Sequence, residues 1–130
     1  MSKPYILIAE DDVTSQQILK KILSTNYEVG ITNNGKECLI SIKDRIPDLL
    51  LLDISMPSIN GYTVCETLRS NPMYDDLKII AATSHSRAED KNLALKLGAD
   101  DYITKPYQAD LIQRLITKYA PLESNFKNNV

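Results

Sequence analysis

Asp48-Leu49-Leu50-Leu51-Leu52-Asp53 sets four leucines side by side and closes them with a carboxylate. A strand with one face in water alternates apolar and polar residues, so an unbroken apolar run of this length belongs to a strand covered by helices on both faces. Tyr5 to Ala9 and Lys78 to Ala82 have the same character. Tyr27 to Thr32 alternates through Glu28 and Thr32, which suits an edge strand, and Asp101 to Thr104 supplies a short further strand. Segments of helical period separate these runs, and that alternation is the signature of βαβ units around a parallel sheet. The expected fold class is α/β, a three-layer, doubly wound, five-stranded parallel sheet.

The helices between the strands carry recognisable ends. Thr14 with Gln17 and Ser86 with Glu89 fit capping boxes, Asn34 and Asn60 suit N-caps, and Gly98 suits the position after a helix end. Their apolar stripes are Ile18, Leu19, Ile22 and Leu23; Cys38, Leu39 and Ile42; Val64, Cys65 and Leu68; Leu93, Ala94 and Leu97; and Leu111, Ile112, Leu115 and Ile116. All of these are expected in the core.

Composition bounds the function without choosing it. A chain of 130 residues with 43% hydrophobic and 25% charged residues reads as one globular domain. A net charge of -2 leaves no electrostatic footprint for nucleic acid or an anionic membrane, so neither is an expected partner. Cys38 and Cys65 fall on apolar helix faces and read as reduced thiols. With no membrane-length apolar run and no secretory leader, the expected localisation is cytoplasmic. Residues 1–120 are expected to form the domain and residues 121–130 a short, frayed C-terminal tail, which in a complete chain is too short for a fused DNA-binding output and leaves a fragment of a larger regulator or hybrid kinase as the alternative.

Chemistry gathers at the ends of the strands. Glu10 and Asp11 follow the first, Asp53 the third, Thr83 the fourth and Lys105 the fifth. In an open parallel sheet, ligands bind outside the carboxyl ends of the strands, where the strand order reverses. Carboxylates held that close call for a cation among them, here Mg²⁺, with a hydroxyl donor and an ammonium alongside. This is the donor set of a Mg²⁺-dependent phosphoryl site.

Taken in order, Ile8-Ala9-Glu10-Asp11-Asp12, Leu52-Asp53-Ile54-Ser55-Met56-Pro57 with Asn60-Gly61, Ala82-Thr83-Ser84, and Gly98-Ala99-Asp100-Asp101-Tyr102-Ile103-Thr104-Lys105-Pro106 resemble the receiver domain of two-component response regulators. The resemblance spans Tyr5 to Tyr119 and implies the flavodoxin-like strand order 2-1-3-4-5. It implies Asp53 as phospho-acceptor, taking a phosphoryl group from a phosphohistidine of a sensor histidine kinase or histidine phosphotransfer protein. Asp11 would bind Mg²⁺ directly, Glu10 through water, and Ser55 through its backbone carbonyl. Many receivers carry Asp where this chain has Glu10. Lys105 would offset the remaining charge, aided by a cis bond to Pro106, while Thr83 and Tyr102 form the switch. The resemblance places the read-out surface, for a downstream protein target, on the last two helices and the strand between them. Arg87, Lys91, Lys96, Tyr102 and Tyr107 are its expected face.

Other readings of the same residues are weaker. A phosphatase with an aspartate nucleophile would place a second acid two residues on, where this chain has Ser55. A flavin carrier would need a glycine- and hydroxyl-rich first loop, and Asp11 to Thr14 is acidic. The intact set of acids, hydroxyl and lysine argues against a degenerate scaffold. Asp12 is expected to be loop chemistry ahead of a Thr14 cap. His85, two residues past Thr83, is a candidate with Ser55 for tuning access of water to the phosphoryl group.

Overall fold

The computed structural model describes residues 3–84 and 87–122. Its elements run β1 (Tyr5–Ala9), α1 (Val13–Leu23), β2 (Glu28–Thr32), α2 (Gly35–Asp44), β3 (Leu49–Asp53), α3 (Gly61–Arg69), a 3-10 turn (Pro72–Tyr74), β4 (Lys78–Thr83), α4 (Ala88–Lys96), β5 (Asp101–Thr104) and α5 (Ala109–Tyr119). The strands form one parallel sheet in the order β2-β1-β3-β4-β5, the doubly wound α/β architecture that the alternation and the resemblance implied. Strand ends move by one residue from the expected ones. Tyr27 falls outside the ladder because its N–H returns to the Leu23 carbonyl at the end of α1, while Asp53 and Thr83 join their strands as last residues.

The side chains of each strand sort onto the two sheet faces by the period of two. Leu7, Leu50, Leu52, Ile79 and Ala81 pack with Cys38 and Ile42 of α2 and Val64, Cys65 and Leu68 of α3. Ile6, Ile8, Leu49, Leu51 and Ile80 pack with Leu19 and Leu23 of α1 and Ile112 and Ile116 of α5. Both faces are therefore covered, which is why the four leucines of β3 are at most 1% exposed. Burial of each such side chain contributes on the order of 1.5–3 kcal/mol.

The helical stripes are narrower than expected. Ile18, Leu93 and Leu111 are 42%, 40% and 38% exposed, so the expectation that they lie in the core is corrected. A helix lying on a flat sheet buries mainly the row at i and i+4, here Leu19 with Leu23 and Ile112 with Ile116, and leaves flanking apolar residues at the margin. In α4 only Ala94 is buried.

The caps show a second correction. Asp12, not Thr14, caps α1, its side chain accepting from the Ser15 N–H at 2.8 Å, and Thr14 sits inside the first turn. Asn34 and Asn60 cap α2 and α3 as expected, accepting from the N–H groups of Glu37 and Thr63. Ser86 of the Ser86–Glu89 box lies outside the described residues, and α4 begins after Arg87 with no side-chain cap. Gly98, at φ 116, follows α4 in the left-handed region that favours glycine. Past α5, Ala120 is buried and its carbonyl accepts the Tyr27 hydroxyl, and Leu122, expected in the tail, packs on the core. No helix among the described residues is long and apolar enough to cross a membrane.

Gly61 anchors the turn that leaves β3. A Cβ there would lie 2.6 Å from both the Asp53 carbonyl oxygen and the Ile54 Cα, and backbone cannot move aside as a flexible side chain can. Gly61→Ala is expected to cost about 1–3 kcal/mol in urea-induced unfolding, the range for overpacking a close contact. A midpoint unchanged from wild type would show that this approach can relax.

Candidate functional site

Register brings the acids together. Ala9 pairs with Leu52, so the next residues, Glu10 and Asp53, lie side by side on adjacent strands. Glu10 is tied down by its N–H to the Thr32 carbonyl and by Gln16, whose amide donates to the Glu10 carbonyl at 2.6 Å and to Asn33 Oδ1 at 2.7 Å. Ile54 donates to the Ala82 carbonyl and so holds Asp53 against β4. Among the described residues, ligand oxygens of Glu10, Asp11 and Asp53 can all lie within 4.8 Å of one another. Glu10 and Asp53 are 0% and 3% exposed, whereas Asp11 opens to solvent.

Among the described residues, a single ammonium stands against the buried pair. Lys105 Nζ lies 2.7 Å from Glu10 Oε1 and 3.1 Å from Asp53 Oδ2. It arrives from the end of β5, where its N–H donates to the Thr83 carbonyl and the Lys105–Pro106 peptide is cis. Glu10 Oε1 also accepts the Tyr107 hydroxyl at 3.1 Å, and Oε2 accepts the Asp12 N–H at 3.1 Å. The Ser55 N–H donates to Asp53 Oδ1 at 3.1 Å.

These contacts set the protonation balance. Burial, then the hydrogen bond and charge of Glu10, push the Asp53 carboxyl above its ordinary range, against the opposing pull of the Ser55 N–H and Lys105. Burial works against the Lys105 charge, yet its bond to Glu10 and the charge of Asp53 prevail and raise it. Burial and the neighbouring carboxylates of Glu10 and Asp53 raise the Tyr107 phenol too, which stays protonated and donates. Among the described residues, three carboxylates against one ammonium leave a surplus of negative charge at a half-buried rim. That donor set fits a hard divalent cation such as Mg²⁺, which takes carboxylate, carbonyl and water oxygens.

Thr83 closes β4 at 1% exposure. Tyr102, on the paired strand β5, packs half-buried against the α2–α3 side of the core. Burial raises its phenol, and a side-chain hydrogen bond with Thr83 works in the opposite direction. The two residues expected to form the switch are thus neighbours.

A cavity of about 400 Å³ lies over α4, β5 and α5, lined by Arg87, Lys91, Tyr102, Thr104, Gln108 and Leu111 among others. Lys96 and Tyr107 do not line it. Tyr107 turns to Glu10 instead, which corrects its assignment to the read-out face. Sequence reasoning also missed Gln16. Both stand close in sequence to site residues, but neither spacing reveals which way the side chain turns. His85 lies outside the described residues.

The raised Asp53 carboxyl has a consequence for stability. A folded-state value above the unfolded one means that the native state gains stability at low pH and loses it as pH rises through the folded value. In metal-free protein Asp53→Asn removes that loss. It is expected to raise the melting temperature at pH 7 by roughly 2–5 °C and to flatten the profile through the acid range. A melting temperature at pH 7 that falls on substitution would contradict this.

Comparison with known proteins agrees with the geometry. Residues 6–117 match the response regulator receiver domain family. A probable transcriptional regulator, ycf27, of Porphyra purpurea is 38% identical over 106 residues, covering 81% of this chain and 42% of the relative. The chain thus spans less than half the length of that relative. The receiver domain of a sensor histidine kinase from Pseudomonas aeruginosa, with a magnesium ion coordinated in its active-site cleft, superposes with a TM-score of 0.84 at 25% identity, covering 92% of this chain and 98% of that one. A chain from the co-crystal of the Saccharomyces cerevisiae histidine phosphotransfer signalling protein with the receiver domain of its downstream response regulator superposes with a TM-score of 0.85 at 26% identity, covering 92% of this chain and 90% of that one. With its strand order, its rim of acids and its family match over most of its length, this chain belongs to the response regulator receiver domain family.

Proposed function

We propose that this chain is the phospho-accepting switch of a two-component phosphorelay, with Asp53 as the nucleophile. The observation that carries the proposal is the Asp53 carboxylate itself, buried at a strand end with Lys105 Nζ at 3.1 Å and Glu10 and Asp11 beside it. In the transfer, an Asp53 carboxylate oxygen attacks the phosphorus of a phosphohistidine, the phosphorus–nitrogen bond breaks, and the imidazole leaves with the electron pair. The product is an acyl phosphate.

Attack of an anion on an anion is opposed by charge, so the site must neutralise both partners. A Mg²⁺ ion would supply most of that neutralisation, held by Asp11, by Asp53, by the Ser55 carbonyl and, through water, by Glu10. The magnesium in the cleft of the Pseudomonas aeruginosa relative supports this assignment. Lys105 offsets the charge that remains on the transferred group. The complex of a yeast receiver domain with its phosphotransfer protein supports a histidine kinase or phosphotransfer protein as donor.

The chain acts as a switch and not as a turnover enzyme. Its phosphorylated carboxylate presents new acceptor oxygens that draw the Thr83 hydroxyl toward them. The Tyr102 ring then takes up the vacated space, and the α4–β5–α5 surface changes shape for a downstream protein. The cavity lined by Arg87, Lys91 and Tyr102 supports that location, and the net charge of -2 favours a protein over a nucleic acid there.

Incubation with Mg²⁺ and acetyl phosphate, followed by intact mass, is expected to show one added phosphoryl group. The addition is absent in Asp53→Ala and in EDTA. Equal labelling of wild type and Asp53→Ala would refute the assignment, and steady release of phosphate from many ester substrates would favour a phosphatase instead.

A further inference from the structure

Tyr107 stands two residues past Lys105 and folds back over the acid cluster. Its hydroxyl lies 3.1 Å from Glu10 Oε1 and its ring centroid 5.8 Å from Lys105 Nζ. Glu10 is 0% exposed, and among the described residues its carboxylate is held by three donors: the Lys105 ammonium, the Tyr107 hydroxyl and the Asp12 N–H. Lys105 is the shared one, since it also reaches Asp53 at 3.1 Å. If Lys105 follows a phosphoryl group onto Asp53, Glu10 loses its only ammonium partner among the described residues. A buried carboxylate left short of donors is strongly destabilised.

We propose that Tyr107 is a positioning residue that holds the long-armed Glu10 at the metal side of the site while Lys105 serves Asp53. The inference rests on the reading of Asp53 as phospho-acceptor and extends it to a residue outside the acids, hydroxyl and lysine of the transfer set. Length is the reason the pair is matched. An aspartate at this position would withdraw the carboxylate by one carbon–carbon bond, about 1.5 Å. A 3.1 Å contact opened by that much is no longer a hydrogen bond. The tyrosine hydroxyl and the glutamate arm therefore work together or not at all. The ring provides a second contact, an aromatic face beside the path of the ammonium.

A double-mutant cycle on the full chain tests this: wild type, Tyr107→Phe, Glu10→Asp, and both together. Phenylalanine keeps the ring and removes only the hydroxyl. The first readout is the dissociation constant for Mg²⁺ alone, by calorimetry. The second is the extent of acetyl-phosphate labelling at saturating Mg²⁺. Tyr107→Phe is expected to weaken Mg²⁺ binding roughly three- to tenfold in the wild-type background, and less than twofold in the Glu10→Asp background. Labelling at saturating Mg²⁺ should fall more with Tyr107→Phe in the wild-type background than in the Glu10→Asp background. Equal weakening in both backgrounds, or none in wild type, overturns the proposal. If wild type takes no phosphoryl group at all, the phospho-acceptor reading fails. The calorimetric cycle still measures the Tyr107–Glu10 coupling, so the two failures are distinguishable.

Discussion

One ammonium is set between two buried carboxylates, and the rest of the site is arranged around that imbalance. Lys105 lies within 3.1 Å of both Glu10 and Asp53, while Asp11 adds a further negative charge at the mouth. Charges this close cannot be stable from Coulomb energy alone, because burial penalises each of them. The Asp53 carboxyl is driven up by that penalty and by Glu10, and a divalent cation is the natural relief. The strand order exists, in functional terms, to create this rim: β1 and β3 are neighbours, β4 follows, and β5 returns Lys105 from the far side.

The rim rests on a core that is buried on both faces of the sheet. The four leucines of β3 lie between helices on both faces, and the strands flanking β3 bury apolar residues on both sides. Local devices transmit that rigidity to the acids. Gly61 allows α3 to start against the Asp53 carbonyl, Asn60 and Asp12 cap the helices that leave the site, and Gln16 joins the Glu10 backbone to Asn33. By contrast, α4 buries only Ala94. The element expected to change with phosphorylation is thus the one least fixed to the core, as regions that move in switching commonly are.

The fold and the central acids were legible in the sequence because both depend on patterns of fixed period. An apolar run such as Leu49 to Leu52, alternating with segments of helical period, reads as a covered strand, and residues that end such strands share one rim. Features that depend on side-chain direction were not legible. Tyr107 was expected on the read-out face because α5 and β5 flank it, yet its hydroxyl turns to Glu10. Asp12 was passed over as a cap because Thr14 with Gln17 imitates a capping box two residues later. Ile18, Leu93 and Leu111 were expected in the core because hydrophobicity marks the wider stripe, while contact with a flat sheet selects only its centre.

Thermal unfolding against Mg²⁺ concentration reports whether a divalent ion relieves the surplus negative charge at the rim. A ligand that binds only the native state stabilises it in proportion to the logarithm of its concentration above the dissociation constant. The melting temperature is expected to climb steadily with Mg²⁺ in wild type and to stay level in Asp11→Asn. A wild-type melting temperature indifferent to Mg²⁺, or an equal climb in Asp11→Asn, would contradict it.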